Sequence, residues 1–109
     1  MSLITVFERI PLKPKYATPE GAVQAGQAYD DIAGDNAHDA PGHAGHASFF
    51  FDAAKASLVV FYPWLGRANL EQLLASEDAV LADWFAEFAA GPRETMILDE
   101  LAVVTDEAH

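Results

Sequence analysis

A chain of 109 residues with 51% apolar content and twelve aromatics (seven Phe, three Tyr, two Trp) has material for one hydrophobic core, which excludes both a disordered segment and a two-domain protein. Its formal charge of −11, with six Lys and Arg scattered rather than clustered, repels phosphate backbones and anionic bilayers, so neither nucleic acid nor membrane is an expected partner. The absence of cysteine removes disulfides, thiolate metal sites and thiol catalysis, and with no basic leader and no apolar run near the ~20 residues that span a bilayer, the expectation is a soluble cytoplasmic protein.

The first predicted element is a strand from Leu3 to Ile10, ended by Pro11 and Pro14, which lack backbone donors. Thr18-Pro19-Glu20 is a helix start: hydroxyl cap, proline at the first helical position, acid in the first turn. That helix is expected to reach about Ile32, with Ala22, Val23, Ala25, Ala28 and Ile32 as its small apolar content. Residues 33 to 46 follow as an acidic, His-containing loop within the single domain 1 to 109. Ser48 to Phe51 and Ser57 to Tyr62 are strands joined by a five-residue hairpin connection. Asn69, with Gln72 three residues on, has the pattern of a reciprocal cap opening the next helix. Ser76-Glu77-Asp78 marks a bend and restart, after which Leu81, Trp84, Phe85 and Phe88 form an inward stripe and Glu77, Asp78, Asp83 and Glu87 the exposed side. Gly91-Pro92 stops that helix, and Thr95 to Val104 is the last strand.

This order, βαββαβ, is that of a ferredoxin-like α+β domain: a four-stranded antiparallel sheet with the first and third strands central and two helices on one face. Side chains alternate sides along a strand, so the unbroken runs Phe49-Phe50-Phe51 and Leu58 to Tyr62 make both faces apolar. Two helices cover one. The expected cover for the other is a second copy of the chain, a homodimer through sheet faces; the alternative is a monomer whose acidic loop folds over the sheet.

The segment Leu58 to Phe88, an apolar strand running into Tyr62-Pro63-Trp64, a short polar link and then Asn69-Leu70-Glu71-Gln72-Leu73-Leu74-Ala75-Ser76, resembles the dimeric α/β-barrel proteins of the antibiotic-biosynthesis-monooxygenase type. The resemblance implies two ferredoxin-like subunits with packed sheets and a pocket between sheet and helices. It also implies oxygenase chemistry without cofactor, and it matches Trp64 to the family's strand-end Trp. The His that some members carry in the following helix is replaced by Leu73, Leu74, Ala75 and Ser76, which argues against haem.

An oxygenase of this kind acts on an electron-rich phenol or anthrone, aromatic or polyketide-like, by desolvating it, stabilising its anion and admitting dioxygen to an apolar cavity. The candidate catalytic residues are Trp64, Tyr62 and Asn69, and the candidate walls for a small apolar or aromatic ligand are Trp64, Tyr29, Trp84 and Phe85. The plainer alternative makes Trp64 and Trp84 core aromatics with satisfied N–H groups and Tyr62 a strand end at the surface, in a non-catalytic binding protein whose pocket is filled by its own aromatics. Three imidazoles, His38, His43 and His46, near Asp35 and Asp39 offer ligands for zinc, copper or nickel, against a solvated loop with incidental His or a pH-responsive lid. Glu8, Asp99 and Glu100 lie within strands; one turned inward would have a raised pKa and become a candidate base, and one turned outward is a rim charge.

Overall fold

The computed structural model describes residues 3–103. Strands β1 (Leu3–Pro11), β2 (Ser48–Asp52), β3 (Ser57–Leu65) and β4 (Glu94–Asp99) form one antiparallel sheet in the order β2-β3-β1-β4, and helices α1 (Pro19–His38), α2 (Arg67–Val80) and α3 (Ala82–Phe88) pack against it. A single 3-10 turn, Pro14–Tyr16, links β1 to α1. The ferredoxin-like order and the central position of the first and third strands are as the sequence implies.

Register fixes the two faces. Ile4 pairs with Trp64, Val6 with Tyr62, Glu8 with Val60 and Ile10 with Leu58, and all eight are buried in the layer under the helices. The intervening residues face the other way. There Phe61 stacks edge-on with Phe7 and Phe50, Arg9 pairs with Asp52 at 3.5 Å, and Phe50 (54%), Met96 (52%) and Leu98 (43%) remain exposed. Both faces are therefore apolar, and the helices cover only one.

Helix α1 starts where expected: the Thr18 hydroxyl accepts from the Gly21 N–H at 2.9 Å and Pro19 occupies the first turn. It ends six residues later than expected, at His38, so most of the anticipated loop begins only at Asp39. The reason is tertiary. Ala22, Ala25, Tyr29 and Ala33 continue one buried stripe past Ile32, and the Asn36 amide donates to the Ser76 hydroxyl at 2.9 Å, tying the last turns to α2. These contacts outweigh the low helix propensity of Gly34 and Asp35.

Strand β3 also runs further than expected, through Pro63-Trp64-Leu65. Proline is tolerated in this central strand because β2 reaches only as far as Phe61. On that vacated side the Leu65 N–H donates to the Gly42 carbonyl at 2.8 Å, and Pro63, two residues earlier, turns its donorless nitrogen the same way. The loop 39–47 thus occupies the edge that β2 leaves, with a bridge between His43 and Trp64.

Three helix and strand boundaries are corrected. Gly66, at φ 83°, caps α2, and the Asn69 amide instead donates back to the Leu65 carbonyl at 3.0 Å. The helical break falls at the fully buried Leu81 rather than at Ser76-Glu77-Asp78, giving three α-helices instead of two. β4 stops at Asp99, opposite Ile4; Val104 lies outside the described residues.

Gly21 is required by close approach, since a β-carbon there would stand 2.6 Å from the Tyr16 backbone. Gly21→Ala is expected to destabilise the fold by about 1–3 kcal/mol, as an overpacked core site does, read as a lowered urea midpoint at unchanged m-value.

Candidate functional site

A cavity of about 250 Å³ lies between the C-terminal half of α1, the 39–47 loop, β3 and α2. β3 supplies Val60, Tyr62 and Trp64 from alternate positions, which is why three side chains of one strand reach the same space. Helix α1 contributes Tyr29, Asp30 and Ala33 at helical spacing, and α2 contributes Leu73 and Glu77. The late ending of α1 therefore supplies four of that helix's six lining residues, Ala33, Gly34, Ala37 and His38.

Two groups here are buried without a hydrogen-bond partner. The Tyr62 hydroxyl makes no hydrogen bond of ordinary geometry but interacts weakly with the Glu8 carboxyl beside it; burial, followed by the negative charges of Glu8 and Glu77, pushes its pKa upward, so it stays a neutral donor. The Trp64 indole nitrogen is the second. It packs against the 39–47 loop at Gly42, whose φ is 94° and where a β-carbon would stand 2.5 Å from it. Tyr62 is not a surface strand end, because only 8% of it is exposed.

Below these donors is a buried ionic cluster. Arg93 Nη1 lies 3.3 Å from Glu8 Oε2 and 3.0 Å from Glu77 Oε1, and Nη2 lies 3.3 Å from Asp78. The Tyr29 hydroxyl donates to Glu8 Oε1 at 2.6 Å and accepts from Arg93 Nη1 at 3.3 Å. Burial raises the pKa of Glu8 against the opposing pull of Arg93. Burial and the neighbouring Glu8 push Glu77 up to about 7, again against Arg93. Tyr29 is pushed up by burial and by Glu8, while Arg93 stays charged because Glu8, Tyr29 and Glu77 more than offset the loss of water around it.

Of the sequence candidates, Trp64, Tyr62 and Tyr29 come together at this cavity. Trp84 and Phe85 do not. The Trp84 N–H donates to the Ala25 carbonyl at 2.9 Å in the core and Phe85 stacks on it at 5.2 Å, so both are packing residues. Asn69 holds the start of α2 and does not line the cavity. His38, His43 and His46 all line its mouth, with His38 and His43 rings 6.1 Å apart and His43 edge-on to Trp64 at 5.9 Å. Among the described residues no group of three or more His, Asp or Glu has the geometry to hold a metal ion, so the proposed three-His centre does not assemble.

Glu8 is the strand carboxylate that turns inward, as one of the sequence alternatives allowed, whereas Asp99 pairs at the surface with Arg67 at 2.9 Å. Glu77, expected on the exposed side, is only 3% exposed. Its position was legible, since Leu70, Leu73, Glu77 and Leu81 fall on one helical stripe. Arg93 carries no local sequence signal.

No family model and no curated protein sequence matches the chain. Solved structures do. The monooxygenase ActVA-Orf6 of Streptomyces coelicolor, in complex with nanaomycin D, superposes with a TM-score of 0.72 at 9% identity, covering 97% of this chain and 93% of the other. SnoaB, a cofactor-independent oxygenase from Streptomyces nogalater, gives 0.65 at 12% identity over 97% and 100%. Rv0793 from Mycobacterium tuberculosis gives 0.64 at 19% identity over 95% and 100%. The chain shares the fold of these proteins. At these identities the likeness is one of architecture, a four-stranded antiparallel sheet with helices on one face, and no described helix is long and apolar enough to cross a membrane.

Two outcomes are expected for this site. A proton held by folded Glu77 between its ordinary 4.5 and about 7 is not held by the unfolded chain, so stability is unaffected below that window and lost as pH rises through it, on the order of 3 kcal/mol in all. Chemical denaturation across the window should show that decline, and Glu77→Gln should reduce the slope to the part contributed by Glu8. Gly42→Ala should force the loop off the indole, read as a red-shifted Trp emission with little change at the Trp84 core.

Proposed function

We propose that the protein is a homodimer, joined through its open sheet faces, that binds a small, partly aromatic hydroxylated molecule in the cavity and oxidises it with dioxygen without a cofactor. One observation carries the reading: two buried donors line the cavity together, the Trp64 indole N–H with no hydrogen-bond partner and the Tyr62 hydroxyl with only the Glu8 carboxyl beside it. An orphaned buried donor costs roughly 1–3 kcal/mol, which a ligand oxygen accepting from it would recover. The likeness to the cofactor-independent oxygenase SnoaB and to the monooxygenase ActVA-Orf6 with its bound nanaomycin D supports the same chemistry.

About 250 Å³ is a space for about two or three fused rings, near the lower limit for small-molecule sites. An electron-rich anthrone or naphthol held there is out of water, and an anion forming on its oxygen would be met by the Tyr62 O–H. Trp64 supplies a flat wall. Carbanion or phenolate reactivity toward dioxygen then belongs to the substrate, and the protein supplies desolvation, orientation and a donor. The cavity is open rather than filled by the chain's own aromatics, which favours this over a non-catalytic core.

The partner follows from the second sheet face. Phe7, Phe50, Phe61, Met96 and Leu98 lie together there with no helix above them, an apolar area that a soluble monomer rarely leaves open. A second copy offers the same surface in return, the isologous arrangement of a two-fold dimer.

Anthrone should raise the melting temperature and consume dioxygen with the protein present. Tyr62→Phe should weaken binding about tenfold, one hydrogen bond's worth, without unfolding the chain. No stabilisation by anthrone or by naphthols would end the reading. Sedimentation should give a dimer that Phe61→Asp converts to monomer; a monomeric wild type at high concentration would remove the assembly.

A further inference from the structure

The ionic cluster under the cavity does not balance. Two buried carboxylates, Glu8 from β1 and Glu77 from α2, share one guanidinium, that of Arg93, and the third acid on it, Asp78, is 80% exposed and neutralised by water as much as by the pair. With both buried acids ionised, the cluster holds one negative charge too many for a site out of water.

The two acids are not equivalent. Both Glu8 oxygens are engaged, Oε1 by Tyr29 and Oε2 by Arg93, and Glu8 does not line the cavity. Glu77 does line it, receives Arg93 on Oε1 at 3.0 Å, and has no hydrogen bond to Oε2 from the described residues. The excess charge and the open acceptor therefore coincide on one residue, at the cavity wall shared with Tyr62.

We propose that Glu77 is the proton acceptor of this site, taking the proton from an acidic hydroxyl of the bound molecule through the oxygen that Arg93 leaves free. This rests on the reading that the cavity binds a hydroxylated aromatic. The O–H bond of the ligand breaks, an O–H bond forms on Glu77, and no electron changes hands. Net charge is conserved: the surplus negative charge moves from Glu77 onto the ligand oxygen, where the Tyr62 hydroxyl can donate to it. Arg93 is a positioning residue, holding Glu77 Oε1 and Glu8 Oε2 at once.

The other titratable groups facing the space are Tyr29 and Asp30 from α1, Tyr62 from β3, and His38, His43 and His46 at the mouth. The Tyr29 and Tyr62 hydroxyls are held neutral by burial and by Glu8 and so cannot accept. Glu77, pushed up to about 7, is ionised often enough near neutrality to receive a proton and basic enough to keep it.

The test uses para-nitrophenol, whose anion absorbs visible light and whose neutral form does not. At about pH 8 both the free probe and Glu77 are mostly ionised, so binding of the anion requires a proton to enter the site. Calorimetry in two buffers of different ionisation heat counts that proton, and absorbance identifies the bound form. The expected result is anion bound with uptake of about one proton per site, falling to about zero in Glu77→Gln while binding persists. Should that variant not fold, the infrared band of a protonated carboxyl must appear when the wild type binds the probe. Binding without uptake, binding as the neutral phenol, uptake unchanged in Glu77→Gln, or no carboxyl band would each overturn the assignment and leave the ligand cavity standing. No binding by the wild type would take down the cavity reading and this inference with it.

Discussion

Two carboxylates withdrawn from water against a single guanidinium set the arrangement of everything above the sheet. Glu8 fixes the cluster to the centre of β1, Tyr29 brings in α1, Glu77 brings in α2, and Arg93 arrives from the segment leading into β4. A buried ion pair is a weak source of stability, but removing one member leaves the others uncompensated, so its geometry is strongly enforced. Each element that carries a member must therefore dock in one orientation. The cavity is what remains between α1, β3 and α2 once that docking is satisfied, which is why an ionic cluster and a ligand-sized space are adjacent.

The sheet supplies the second constraint. Alternation along β1 and β3 places Ile4, Val6, Ile10, Leu58 and Val60 beneath the helices and leaves Phe7 and Phe61 on the reverse. No shift of register makes the reverse face polar, since a one-residue slip merely exchanges one apolar set for another. The helical layer keeps one of these sets from water, and the cavity lies within that helix–sheet layer.

Much of this was legible because it follows from short-range pattern. Thr18-Pro19 opened α1, the Phe and Val runs became β2 and β3, and Trp64 and Tyr62 share the cavity because they are two apart on one strand. What escaped the sequence was set by contacts between distant residues. The end of α1 depends on Asn36 meeting Ser76, and the extension of β3 through Pro63 depends on β2 being short. Glu77 was read as a solvent charge from its residue type although its position lay on the Leu70-Leu73-Leu81 stripe; its burial is affordable only because Arg93, sixteen residues on, reaches back to it. Trp84 was misread the other way: nothing local distinguishes an indole that satisfies Ala25 from one left open at a ligand site.

The 39–47 loop has a second role beside roofing the cavity. It lies against the stretch of β3 that β2 leaves bare, with the Gly42 carbonyl holding the Leu65 amide and the Gly42 backbone pressed on Trp64. The wall of the cavity and the cover of that strand margin are thus one piece of chain. A bare strand margin is a template for foreign strands, so the Gly42 contact that shapes the cavity also shields the chain from adhesion to its neighbours.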